Sequence, residues 1–148
     1  MEIIRMFLKF GIVGASGVVV NLLVFSTLTY VFDMKSSVLA ATISFLFAVT
    51  NNFIWNFLWT FKDKATNKTI KEKYINFMVI SLVNFVINLI FLEIFIRVFS
   101  NVNFLKENLK FVKVLAQLFA IGIATIFNFL GNYFITFKDK KIEGEVDE

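Results

Sequence analysis

Asn52, Asn56 and Thr60 stand four residues apart in an otherwise apolar stretch, and Asn128, Asn132 and Thr136 repeat the arrangement near the other end of the chain. Residues four apart share one face of an α-helix, so each set forms a stripe of two amides and a hydroxyl. Such groups accept and donate hydrogen bonds without titrating. They offer recognition of a polar ligand or adhesion to a neighbouring helix, and no proton or nucleophile transfer. Gly14, Gly17 and Asn21 make a similar face in the first apolar segment, and Ser81, Asn84 and Asn88 make one in the third. Arg5, Lys9, Lys62 and Lys138 flank these segments, and cationic groups in that position attract lipid phosphates.

Other chemistries are excluded by composition. The chain has no histidine, cysteine or proline. Disulfides, thiolate nucleophiles and Cys/His metal sites therefore drop out, as does the usual neutral-pH acid–base group. No intramembrane carboxylate pair and no phosphate loop of the G-x-x-x-x-G-K type occur. We expect no catalytic residue, no metal ligand and no cofactor: the chain is not an enzyme. Gly11-x-x-Gly14-x-x-Gly17 is not a dinucleotide fingerprint, because it follows no strand; it reads as close helix packing. Glu93 and Arg97, at i and i+4, read as an ion pair at the membrane interface. Proton coupling through Glu93 is the competing reading.

The elements that carry these residues follow from hydropathy. Hydrophobic residues make up 58% of 148, charged residues 18%, and mean hydropathy is +0.77. Soluble domains are about 45–50% apolar and about 25% charged. Four uncharged runs occur, of 22 residues (Gly11 to Phe32), 26 (Ser36 to Phe61), 19 (Tyr74 to Leu92) and 24 (Val114 to Phe137). About 20 residues cross the hydrocarbon core as a helix, and unpaired backbone is not tolerated there. The expectation is a multi-pass protein of the cell membrane. The first run exceeds a signal-peptide h-region and reads as an uncleaved helix. Ten basic residues fall in the N-terminus, the middle loop Lys62 to Lys73 and the C-terminus, against five on the other side. Both termini are therefore expected to be cytoplasmic. The net charge of +4 is thereby explained by a membrane surface, and no nucleic-acid partner is expected. The segment Ser100 to Lys113 has Leu105, Leu109 and Val112 at helical spacing and suggests a short interfacial helix, with a plain loop as the alternative. The acidic tail Glu143 to Glu148 is expected to fray.

The chain also repeats itself. N-F-I-W-N-F-L-W-T-F-K-D-K (Asn52 to Lys64) and N-F-L-G-N-Y-F-I-T-F-K-D-K (Asn128 to Lys140) agree at eight of 13 positions. Phe10 to Phe32 laid on Phe77 to Phe99 agrees at six of 23, with Asn21 on Asn88. The fold class expected is all-α: an integral membrane bundle of four transmembrane helices, built as two tandem parallel helical hairpins. It forms one domain over 1–148, with repeat A about 5–64 and repeat B about 74–140. Amides in hydrocarbon need partners, so Asn21, Asn52, Asn56, Asn84, Asn88, Asn128 and Asn132 either join helices or line a groove for a polar head group.

The opening R-x-x-x-K-F-x-I-V-G (Arg5, Lys9, Phe10, Ile12, Val13, Gly14) and the repeated N-F-x-x-N...T-F endings resemble the GtrA-like family of small four-helix membrane proteins. The family is also found as the membrane part of some dolichol-phosphate mannose synthases. The resemblance covers residues 5 to 140 and carries Val13, Gly14, Asn52, Phe53, Asn56, Phe61, Asn128, Phe129, Asn132 and Phe137. It implies a role in cell-surface polysaccharide or glycoconjugate synthesis, by flipping a polyprenyl-phosphate-linked sugar across the membrane. Family members often place an arginine just after the second asparagine, where this chain has Phe57 and Tyr133; Lys62 and Lys138 are the substitutes for any phosphate contact it makes. Polar groove residues would then hold the sugar, and Arg5, Lys9, Lys62 and Lys138 the phosphate. The alternative is a non-catalytic accessory or anchoring subunit for a membrane glycosyltransferase. A proton-coupled exporter ranks below both, because the first span carries no carboxylate. Partners on these readings are the lipid-linked sugar, membrane lipids, a membrane glycosyltransferase and a second copy of the chain.

Overall fold

The computed structural model describes residues 2–102 and 109–139, and no strand occurs among them. Four helices, α1 (Glu2–Ser26), α2 (Ser37–Trp55), α3 (Ile70–Ser100) and α4 (Leu109–Gly131), account for nearly all of it. Each is long and apolar enough to cross a membrane. The absence of proline lets these helices run unbroken. Three of them do not end as α-helix: α1 passes into a π-turn at Thr27–Val31, α2 at Asn56–Thr60 and α4 at Asn132–Thr136. In the second of these the Phe61 N–H donates to the Asn56 carbonyl at 2.8 Å, a bond spanning five residues. The turn between α1 and α2 holds Asp33 in the left-handed region (φ 47°). Ser36 then caps α2 by accepting from the Leu39 N–H at 3.3 Å.

The helix limits correct the sequence reading in three places. The middle loop ends at Thr69, so Lys71 and Lys73 belong to α3, and Lys73 is 5% exposed instead of solvated. The third helix has 31 residues, against an uncharged run of 19, with Glu93 and Arg97 toward its outer end as expected. At about 1.5 Å per residue it exceeds the roughly 30 Å hydrocarbon core. Leu109 to Lys113 is the start of α4, which leaves no separate interfacial helix from Leu109 onward; residues 103–108 and the acidic tail lie outside the described residues.

The chain forms two compact units, one of Met1–Ile70 with the segment from Phe137, the other of Lys71–Thr136. In the first, α1 buries Met6, Phe10, Val13 and Gly17, a stripe at helical spacing. On α2 the buried stripe is Ala40, Ser44 and Ala48, small residues that let helix axes approach. Phe61 stacks on Phe137 with ring centroids 4.3 Å apart, and Phe10 meets Phe61 edge-on at 6.2 Å. In the second unit, Phe91 lies against Phe127, and Phe95 and Phe99 both pack on Phe119. Buried Ala116, Ala120 and Ala124 give α4 the same small stripe as α2.

Burial follows the repeat. Ala40 and Ala116, Ser44 and Ala120, Ala48 and Ala124, Phe53 and Phe129, Asn56 and Asn132, Thr60 and Thr136, and Phe61 and Phe137 are buried in both copies. On the first helices Met6 and Phe10 have buried counterparts in Lys73 and Phe77. The opposite faces carry large exposed apolar residues such as Leu8, Ile12, Leu23, Phe47, Val79, Phe85, Leu118 and Phe134. Exposed apolar surface on this scale is a surface for lipid. The glycine-packing expectation holds at one position of three. A Cβ on Gly17 would run into the Asn52 side chain, whereas at Gly11 or Gly14 it meets nothing among the described residues.

Candidate functional site

The repeated N-F-x-x-N-x-x-x-T-F motif lies across the junction of α-helix and π-turn in both copies. Its two copies bond differently. In the second, the Asn132 Nδ2 donates to the Asn128 Oδ1 and to the Asn128 carbonyl, both at 2.9 Å. The Thr136 hydroxyl then donates to the Asn132 Oδ1 at 2.9 Å. That ladder is closed on itself. In the first copy, the Asn52 Oδ1, Asn56 Oδ1 and Thr60 Oγ1 are buried with no hydrogen-bond partner among the described residues. Asn56 is 1% and Thr60 5% exposed. An unpaired polar group out of water costs about 1–3 kcal/mol, so this column has unused bonding capacity. π-turns recur at functional sites.

A cleft of about 330 Å³ opens where this column ends. It is lined by Glu2, Arg5, Met6 and Lys9 from α1 and by Leu58 to Lys64 from the end of α2. Four of these residues are basic and two acidic. Lys9 is fixed: its Nζ donates to the Trp59 carbonyl at 3.3 Å and sits 5.1 Å from the centroid of the Trp59 ring. Lys64 lies 3.8 Å from Glu2. Arg5 and Lys62 make no ion pair among the described residues. Thr60, the last residue of the amide column, also lines the cleft, whereas Asn52 and Asn56 do not.

Of the residues singled out as phosphate ligands, Arg5, Lys9 and Lys62 line this cleft, and Lys138 does not. Of the seven asparagines, Asn52 and Asn56 form the open column and Asn128 and Asn132 the closed one. Asn21 and Asn88 serve as helix-joining groups. Asn21 donates to the Ser44 hydroxyl at 3.3 Å, and Asn88 accepts from Gln117 at 3.4 Å. The Asn84 Oδ1 is buried without a partner among the described residues. It lines a cavity of about 320 Å³ with Ile80, Val83, Phe127 and Gly131, otherwise apolar but for Asn76. Glu93 and Arg97 pair at 2.9 Å while remaining exposed, the geometry of an interfacial pair worth little in stability.

Sequence reasoning missed several participants. Asn51 donates to the Ser16 hydroxyl at 3.0 Å, a second bond between α1 and α2. Asp139 accepts from the Thr66 hydroxyl and the Asn67 N–H at 3.3 and 3.2 Å, which gives the repeated K-D-K a role in fastening the middle loop. Glu2 and Asp63 bring carboxylates to the cleft. Charge and amide signals for these residues were present in the chain, but nothing in the spacing joins positions so far apart.

Residues 9–137 match the family described as GtrA/DPMS, transmembrane domain. The chain belongs to that family. No curated protein matches it significantly. With four apolar helices and this membership, the chain is a multi-pass membrane protein. Among the described residues no group of three His, Cys, Asp or Glu side chains stands together.

Proposed function

We propose that this GtrA/DPMS domain serves glycoconjugate synthesis as a non-catalytic membrane component that carries a polyprenyl-phosphate-linked sugar across the bilayer. The observation that supports the reading is the basic cleft at the end of a buried column of unpaired polar groups. A prenyl chain stays in lipid beside the exposed apolar helix faces, and only the charged head needs a protein path. Its phosphate sits in the cleft, held by Arg5 and Lys62, with Lys9 supplying charge from a fixed position. Each basic group near an anionic surface contributes about 1 kcal/mol. The cleft's volume lies at the lower end of the 300–1,000 Å³ usual for ligand sites, which suits one phosphate and part of a sugar. On the charge asymmetry the cleft faces the cytoplasm.

The test is accessibility of a fluorescent polyprenyl-phosphate-sugar in liposomes with and without the purified protein. Protein should raise the rate at which the outer-leaflet probe becomes protected from a membrane-impermeant quencher. Arg5→Gln with Lys62→Gln should lower that rate at least about tenfold, whereas Lys68→Gln with Lys71→Gln should leave it within about twofold. Equal effects of the two pairs would reduce the cluster to a topology anchor.

The second reading is an accessory subunit that positions a membrane glycosyltransferase. The GtrA/DPMS description supports it, together with the resemblance to the membrane part of some dolichol-phosphate mannose synthases. It predicts no effect of the protein on probe accessibility, and co-purification with a transferase from the native membrane.

A further inference from the structure

Two copies of one motif whose three polar residues match in type and spacing but not in bonding form an internal control. Asn52, Asn56 and Thr60 have the same residue types, spacing and π-turn as Asn128, Asn132 and Thr136. Both central asparagines and both threonines are buried. Only the second set satisfies itself, through three bonds of 2.9 Å. The first set leaves three buried oxygens without a partner among the described residues. A local cause is visible on the partner helices. The Asn52 amide lies over Gly17, where no Cβ stands in its way. Its turn toward α1 takes it out of the column, leaving Asn56 without the bond that Asn132 makes. The counterpart of Gly17 in the second copy is Asn84, a position that carries a side chain where the first copy has none.

We propose that the copies have divided the work. Asn52, Asn56 and Thr60 are the track for the hydroxyl-bearing head of the ligand, and Asn128, Asn132 and Thr136 are a structural ladder. The assignment rests on the function proposed above and names the half of the molecule that performs it. Two amide oxygens and a hydroxyl oxygen call for donors, and a sugar is a dense array of hydroxyl donors. Their spacing of four residues places successive acceptors about 6 Å apart along the helix axis. A head group leaving the cleft at Thr60 can therefore exchange one acceptor for the next as it moves inward, its phosphate following the sugar. The self-bonded ladder has nothing to exchange: opening it forfeits bonds already made.

The experiment uses the full chain in detergent, with two isosteric pairs of variants, Asn56→Leu against Asn132→Leu and Thr60→Val against Thr136→Val. Thermal melting reads the structural part. Tryptophan fluorescence, from Trp55 and Trp59 beside the column, reads binding of two probes, a polyprenyl phosphate and the same lipid carrying glucose. The wild type should prefer the glucosylated lipid about tenfold, the factor one well-made hydrogen bond supplies. Asn56→Leu and Thr60→Val should erase most of that preference without lowering the melting temperature. Asn132→Leu and Thr136→Val should keep the preference and melt at least about 3 °C lower. A preference that survives Asn56→Leu and Thr60→Val, as it would if water fills the column, overturns the proposal. So does equal loss from both copies. If the wild type binds the bare lipid without preferring the sugar, the track fails while the phosphate cleft stands. If it binds neither lipid, the functional reading fails and takes the track with it.

Discussion

At the scale of single residues, the contact of Gly17 with Asn52 decides how the polar column behaves. Alanine in place of glycine inside a helix is favoured by about 1 kcal/mol. At Gly17 the new Cβ would occupy the space of the Asn52 amide, which must then swing away. We expect Gly17→Ala to bring no gain in stability alone, and to gain about 0.5–1 kcal/mol once Asn52→Ala has cleared the site. A double-mutant cycle followed by melting in detergent measures this coupling. Additive effects would mean that the amide moves without cost. The residue scale was also where sequence was least sufficient. The amides were conspicuous because an asparagine in hydrocarbon demands a partner. Which partner each one has depends on the residue opposite, and the open and closed columns have the same letters at all three positions. On the open side the residue next to the Asn52 amide is Gly17, on another helix, and only the weak half of the repeat brings it into register with Asn84.

At the scale of helices and turns, the spans were legible because charged residues bracket them, and hydrocarbon accepts few structures but a helix. The π-turns were not. A bond spanning five residues instead of four alters one turn of chain, and the periodicity of so short a segment cannot report it. The buried stripe of Ala40, Ser44 and Ala48, with Ala116, Ala120 and Ala124, was hidden for another reason. Small apolar residues look the same to a hydropathy scale whether they face lipid or another helix. Structure separates them: Ala120 is 0% exposed and Leu118, two positions earlier on the same helix, is 62% exposed. Ala120→Leu should therefore overpack α4 and cost about 1–3 kcal/mol, seen as a lower melting temperature and loss of the monodisperse peak in size exclusion. Leu118→Ala exchanges one lipid-facing apolar group for another and should stay within about 0.5 kcal/mol. Equal damage from the two substitutions would show that the stripe does not mark the packed face.

At the scale of the whole molecule, function depends on which side of the membrane the cleft faces. Structure and charge address different halves of that question. Arg5 and Lys9 meet Trp59 to Lys64 at one end of the first unit, and Asp139 fastens to Thr66 and Asn67 at that same end. The N-terminal segment, the middle loop and the start of the C-terminal segment therefore share a side, as an even number of crossings requires. The turn at Asp33 to Ser36 joins the far ends of α1 and α2. Lys35 there pairs with Asp33 at 2.6 Å in full exposure, an arrangement for an aqueous surface. For what structure leaves open, the positive-inside rule predicts a cytoplasmic side for the termini, because ten of the fifteen basic residues lie on that side. The chain lacks cysteine, so single cysteines are clean reporters. Lys68→Cys should react with a membrane-impermeant maleimide only after the cytoplasmic face is opened, in inverted vesicles or permeabilised cells. Lys35→Cys should react in intact cells. The reverse pattern would put the cleft outside and make it a release site for the head group instead of an entry site. Labelling of both from one side would break the even-crossing arrangement, and with it the assignment of a continuous path from cleft to column.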